Sequence, residues 1–189
     1  MKKLLALTLS LCLCGTAFSQ TFMQGIGGNI VTQTTSGYKT QTLPSVIYAP
    51  RFAFLEAEGS SISIGLPISF GFNGAYHIRN EDAITLGWMF QAPLMLDFND
   101  GAGSGNSNES RIGFFFGAGF GYQTNIILKK DYAGNDIAYP MSGFGPVGEA
   151  GIRFAVGKHQ HNIEFRISYM KTHDTSQSGV FGIGCVFGY

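Results

Sequence analysis

The chain ends on a strict alternation. Between Ser178 and Tyr189, Phe181, Ile183, Cys185, Phe187 and Tyr189 interleave with Val180, Gly182, Gly184, Val186 and Gly188. A period of two is that of a β-strand. A soluble sheet would put hydroxyls or charges opposite its bulky face, whereas here the opposite face is almost free of side chains. That suits the crowded inside of a small closed barrel whose bulky face looks out into lipid. The template recurs over 22–33, 44–56, 61–72, 84–97, 110–126, 141–156 and 161–171. It is clearest where Ile62, Ile64, Leu66, Ile68, Phe70 and Phe72 oppose Ser61, Ser63, Gly65, Pro67, Ser69 and Gly71.

Eight such segments predict an all-β fold: an eight-stranded antiparallel up-and-down transmembrane barrel. After the first residues no apolar run approaches the ~18–20 residues of a spanning helix. Only a closed barrel then satisfies the backbone in lipid. In the second segment Val46, Tyr48, Pro50, Phe52 and Phe54 are assigned outward, with Ile47, Ala49, Arg51, Ala53 and Leu55 inward; Pro50, lacking a ladder donor, predicts a bulge or break. The stretches 34–42, 73–82, 128–139 and 172–177 are expected as loops on the outer side. Ala57–Gly59 and Gly157–Gln160 are expected as short turns on the periplasmic side. The stretch from Asn99 to Glu109, on that same side, is longer than the topology calls for.

Composition adds an address. Met1, Lys2 and Lys3 precede an apolar run from Leu4 to Leu13, and Ala17, Phe18 and Ser19 form a small-x-small cleavage pattern. The expectation is a cleaved signal peptide at 1–19 followed by a single barrel domain at 20–189. Loss of Lys2 and Lys3 leaves a slight acidic excess, which argues against a nucleic-acid partner. Cys185 is the one cysteine left, so no intramolecular disulfide is expected. The 27 glycines in 189 residues are about twice the usual ~7%, and they cluster on one face of the strands.

Chemistry is sparse. The inward face carries Arg51, Glu149, Arg153, Glu164 and Arg166, which in so narrow a lumen must pair. A two-residue turn at Lys158 and His159 sets Arg153 directly across from Glu164 and Glu149 one diagonal step from Arg166. A slip of one residue would flip a strand and break the match. This set is read as an interior ion-pair network filling the barrel. The alternative is a narrow ion or small-solute path, which no ring of like charge supports. A rim hydrolase would need His77 with Glu81 and Asp82, or His173 with Asp174 and Ser176 or Ser178. Polar loops carry such combinations by composition alone, so no catalytic, cofactor-binding or metal-ligating residue is assigned. The expected partners are outer-membrane lipid and an external ligand at the loops. A soluble exported β-sandwich is the remaining class, which recovery from the periplasm would establish.

With a cleavable leader, eight alternating segments, inward Arg and Glu pairs, and Phe187, Gly188 and Tyr189 at the end, the chain resembles the small, eight-stranded bacterial outer-membrane β-barrel domains of the OmpA/OmpX type. The resemblance spans 22–189 and is one of pattern. It implies that Phe187 and Tyr189 act as the signal read by the barrel-assembly machinery. The family more usually ends in Phe.

Overall fold

The computed structural model describes residues 21–35, 40–75, 85–105, 109–130, 136–157, 161–173 and 178–189; for 73–75, 85, 86, 127–130 and 136–139 it describes the backbone alone. The strands are β1 (Thr21–Met23), β2 (Gly25–Thr35), β3 (Gln41–Tyr48), β4 (Arg51–Ala57), β5 (Ser60–Gly65), β6 (Ile68–Ala75), β7 (Thr85–Gly101), β8 (Ile112–Lys130), β9 (Asp136–Val156), β10 (His161–Lys171) and β11 (Ser178–Gly188). β1 with β2, β3 with β4, and β5 with β6 each form one stave. Eight antiparallel staves, each paired with the next in sequence, therefore close into a barrel where β11 pairs with β2. The signal-peptide stretch lies outside the described residues.

The interruptions follow from proline. Pro50 and Pro67 have no N–H to give a ladder, and the breaks at Ala49–Pro50 and Leu66–Pro67 sit opposite each other. The ladder is carried across them by Leu66 N–H to Pro50 O at 3.0 Å. Register is otherwise continuous except at Phe54. There the pairing jumps from Ala53↔Ser63 to Leu55↔Ile62, one extra residue of the kind that defines a β-bulge. The bulge corrects the expected facing of Leu55: past it the parity inverts, so Leu55 turns outward, 39% exposed.

Alternation decides the rest. Phe70, Phe72, Leu94, Leu96, Phe116, Phe120, Phe165, Ile167 and Ile183 are exposed, while Gly71, Met95, Gly117, Gly119 and Arg166, which alternate with them, are buried or half-buried. An exposed apolar surface that wraps the whole circumference exceeds by far the few hundred Å² that a soluble monomer shows. The 11 residues of β11, at about 3.3 Å each and tilted about 40°, climb about 28 Å, close to the ~25 Å apolar band of such barrels.

Two expected loops are shorter than the sequence pattern implied. β7 and β8 stay paired through Gly101↔Gly113, so the connection begins at Ala102, three residues later than Asn99, and ends at Arg111. β8 and β9 stay paired through Lys130↔Asp136, so most of the expected 128–139 loop is a hairpin running past β10, whose pairing with β9 stops at Val147. Thr21, Tyr189 and the ends of β4, β7 and β9 share one mouth, the periplasmic end in barrels of this class.

Candidate functional site: the ion-paired lumen

β9 and β10 pair with Arg153 directly opposite Glu164. Arg153 Nε donates to Glu164 Oε2 at 2.7 Å, and its Nη1 donates to Asn99 Oδ1 at 2.8 Å. Arg166 Nη2 donates to Glu149 Oε1 at 2.9 Å, and Arg166 Nε lies 3.2 Å from Glu164 Oε1. Arg51 reaches in from β4, its Nη1 3.5 Å from Glu164 Oε2. Glu164 thus touches three guanidinium groups. Arg153 is 1% exposed and Glu164 5%, so these are buried pairs whose geometry has to offset desolvation.

One member of the cluster was missed. Asp97, absent from the five inward charges read from the sequence, is buried against Glu149 and within the fields of Arg153 and Arg166. The register explains the approach: Asp97 pairs with Gly117 and Gly117 with Glu149. A Cβ at Gly117 would overlap Asp97 Oδ1. The bare glycine therefore lets two carboxyl groups from flanking strands meet above it. With Asp97 the cluster holds three cations and three carboxyl groups.

Phe115 supplies the floor for the cations. The Arg153 guanidinium carbon lies 4.1 Å from its ring centroid and that of Arg166 lies 5.6 Å away, within cation–π range. The ring fits because its neighbour across the ladder is Gly151, where a Cβ would come 2.5 Å from Phe115 Cε1.

The unexplained long connection has its reason here. After β7, Ala102 and Ser104 fold inward and are buried. Gly103 O accepts from Arg51 Nη2 at 2.8 Å, and Ser104 Oγ donates to Gly59 O at 3.0 Å. Gly101 and Gly103 take φ of 73° and 69°, the left-handed region that favours glycine. The connection is a cap drawn over the periplasmic mouth.

The lumen is not ionic throughout. Beyond the cluster, Val31, Leu43, Met89, Met95, Val147, Met170 and Val180 form one buried apolar cluster. Beyond that layer lies a neutral one. Gln33 Oε1 accepts from Gln123 Nε2 at 2.7 Å and Asn125 Nδ2 at 2.9 Å, while Gln33 Nε2 donates to Thr35 and Ser178 hydroxyls at 3.3 Å.

The rim candidates are only partly in view. His77, Glu81, Asp82, Asp174, Ser176 and the turn residues Lys158 and His159 lie outside the described residues. His173 is exposed at the outer rim, its backbone N–H donating to Phe144 O at 2.7 Å. Ser178 is fully buried, and its hydroxyl is committed to Thr35 at 2.8 Å. Serving as the nucleophile for His173 would break that arrangement. Phe187 and Tyr189 stand on the outer face at the periplasmic end, rings stacked with centroids 6.4 Å apart, and Phe187 also packs on His161.

A closed eight-stranded antiparallel barrel, apolar outside and ion-paired within, defines the class: the chain has the fold of the small bacterial outer-membrane β-barrels. No protein-family model and no curated protein matches the sequence. Among solved structures it is similar to Ail, the attachment invasion locus protein of Yersinia pestis, in complex with the heparin analogue sucrose octasulfate. The TM-score is 0.55 at 14% identity, over 90% of this chain and 98% of that one. It is likewise similar to Neisserial surface protein A, NspA, with a TM-score of 0.55 at 10% identity over 90% and 97% of the two chains. At these identities the likeness is one of fold.

Proposed function

We propose that the chain is an integral outer-membrane protein without catalytic activity, a rigid barrel that holds its outer loops toward an external partner. The observation that carries this reading is the inverted burial: Arg153, Glu164 and Arg166 are enclosed while Phe70, Leu94 and Ile183 are exposed. Each large apolar side chain kept in water would forgo about 1.5–3 kcal/mol, a loss that lipid removes. On this reading residues 1–19 are a cleaved leader and 20–189 the barrel domain. The last strand, with Phe187 and Tyr189, is what the barrel-assembly machinery reads.

Ail was solved with a heparin analogue, which makes a sulfated polysaccharide the first ligand class to consider for the loops. The loop charges of this chain favour another class. Lys39, Arg79, Lys129 and Lys130 are matched by Glu81, Asp82, Asp131, Asp136 and Asp174, so a polyanion would meet little net attraction. A neutral or protein surface fits better.

The test uses cells expressing the full chain. The protein should fractionate with the outer membrane and show heat-modifiable migration, and shortening the loops at 36–39 and 174–177 should abolish adhesion to host-cell or matrix protein surfaces without lowering membrane yield. Recovery in the soluble periplasm would defeat the membrane reading. Unchanged adhesion in folded loop variants would defeat the loop reading.

A further inference from the structure

The order of the three interior layers decides what can cross the barrel. Met95, Gly119, Val147, Met170 and Val180 are successive ladder partners from β7 to β11, so four of the seven apolar side chains form one row along the wall. The row fills space and does not merely line it. A Cβ at Gly119 would overlap the Leu94 carbonyl oxygen and lie 2.8 Å from Met95 Sδ, and one at Gly121 would lie 3.0 Å from both Pro93 Cβ and Val147 Cγ2. The glycines give up volume that the methionine and valine side chains occupy.

Two cavities of about 20 Å³ each adjoin this row, mostly on its periplasmic side, and each has room for roughly one water molecule. The first is lined by Arg51, Asp97, Arg153, Glu164 and Arg166, and reaches Gln24 and Gly188 near the chain ends. The second shares Glu149 and Arg166 with the first, adds Ser168 and Asn29, passes the level of Met95 on β7 to reach Pro93 and Gln91, and ends against Ile47 and Val147. Arg166 Nη1 and Asp97 Oδ1 are buried with no hydrogen-bond partner among the described residues. Polar atoms in that condition beside a polar cavity take up water.

We propose that water enters from the periplasmic mouth as far as Arg166 and Ser168, and that the methionine–valine layer, rather than the ion cluster, is the seal that keeps the lumen impermeable to ions. An ion among the arginines and carboxylates finds groups able to replace its hydration shell. At the next layer it finds mostly thioethers and methyl groups, the amide of Gln91 having its Nε2 turned onto Met170 Sδ at 3.7 Å. Such a constriction offers an ion little in place of its hydration shell and closes by dewetting. Methionine, with three rotatable bonds, fills an irregular lumen well and is also the element most able to shift. The proposal rests on the membrane-spanning reading above.

The experiment measures conductance of the purified, folded full chain in planar lipid bilayers bathed in potassium chloride. The native sequence should be silent. Met89→Ala with Met170→Ala should produce discrete current steps, and Arg153→Gln with Glu164→Gln should stay silent despite weaker folding. A conducting charge variant, or a silent methionine variant that retains heat-modifiable migration, overturns the proposal. A second measurement needs no methionine change. In a Cys185→Ala background, silver ions added from the periplasmic side should block the thiol of Ser168→Cys, below the seal, and leave that of Val180→Cys, which lines neither cavity, free. Blocking of both, or of neither, overturns the proposal as well. Native protein that never acquires heat-modifiable migration in lipid would instead defeat the membrane-spanning reading, and that gel tells the two failures apart.

Discussion

The two polar layers of the lumen do similar structural work with different chemistry. Near the chain ends, full charges from β4, β7, β9 and β10 converge on Glu164, Glu149 and Asp97. Near the opposite mouth, uncharged amides and hydroxyls from β2, β8 and β11 converge on Gln33. Buried charges are costly to strip of water and costlier still to leave unpaired, so they penalise every register but one. Amides exchange protein partners for water at a modest net gain. The charged layer therefore specifies which strands meet and in what alignment, and the amide layer stitches the circumference at lower stakes.

The largest expected effect comes from emptying the charged hub. Glu164→Gln leaves three guanidinium groups with too few carboxylates, and breaking a buried pair in this way costs about 3–5 kcal/mol. Denaturant midpoints of the folded barrel in detergent should fall accordingly with the slope unchanged; a loss no greater than that of an amide variant would erase the contrast between the layers. Next is Gly151→Ala, whose Cβ would press on the Phe165 carbonyl oxygen and on the Phe115 ring that lies beneath Arg153. Overpacking of this kind costs about 2–3 kcal/mol, and Phe115→Leu in the same chain should recover part of it. In the amide layer, Gln33→Leu strips partners from Gln123 and Asn125, whose side chains are buried. The expected cost is about 2 kcal/mol, read from the same midpoints. Thr35 and Ser178 keep each other as partners, which limits the damage.

How far each layer was legible in the sequence follows the same division. Inner and outer faces could be read because alternation is local, and it misled only at Leu55, where the extra residue at Phe54 leaves no mark in the pattern. Arg153 and Glu164 lie on adjacent strands joined by a tight turn, so their alignment followed from counting. Asp97 was overlooked because its neighbour Glu149 is two strands away, and the glycine that lets them meet looks like every other inner-face glycine. Gln33 meets Gln123 across 90 positions of sequence, a contact that no turn length predicts. The apolar layer was hidden by its own composition, since Val31, Val147 and Val180 on an inner face read as ordinary strand residues until closure brings them together.

The smallest effect probes the cap, where the charged layer meets the periplasmic turn. Gly103→Ala puts a side chain at φ 69°, and the left-handed conformation costs an ordinary residue about 1 kcal/mol. The added Cβ would come 2.9 Å from Asn162 Nδ2 and 3.1 Å from Arg51 Nη2, both ends of side chains that can yield, and 3.2 Å from Arg153 Cδ, which has to give by only a few tenths of an ångström. The strain should therefore stay local. Backbone amide exchange should quicken at Gly101 and Ser104 while β9 and β10 keep their protection, because Arg153, Arg166 and their carboxylates remain bonded without the cap. If protection falls in β10 as well, the inward turn is part of the charged layer itself, and the separation between a register-setting cluster and its lid disappears.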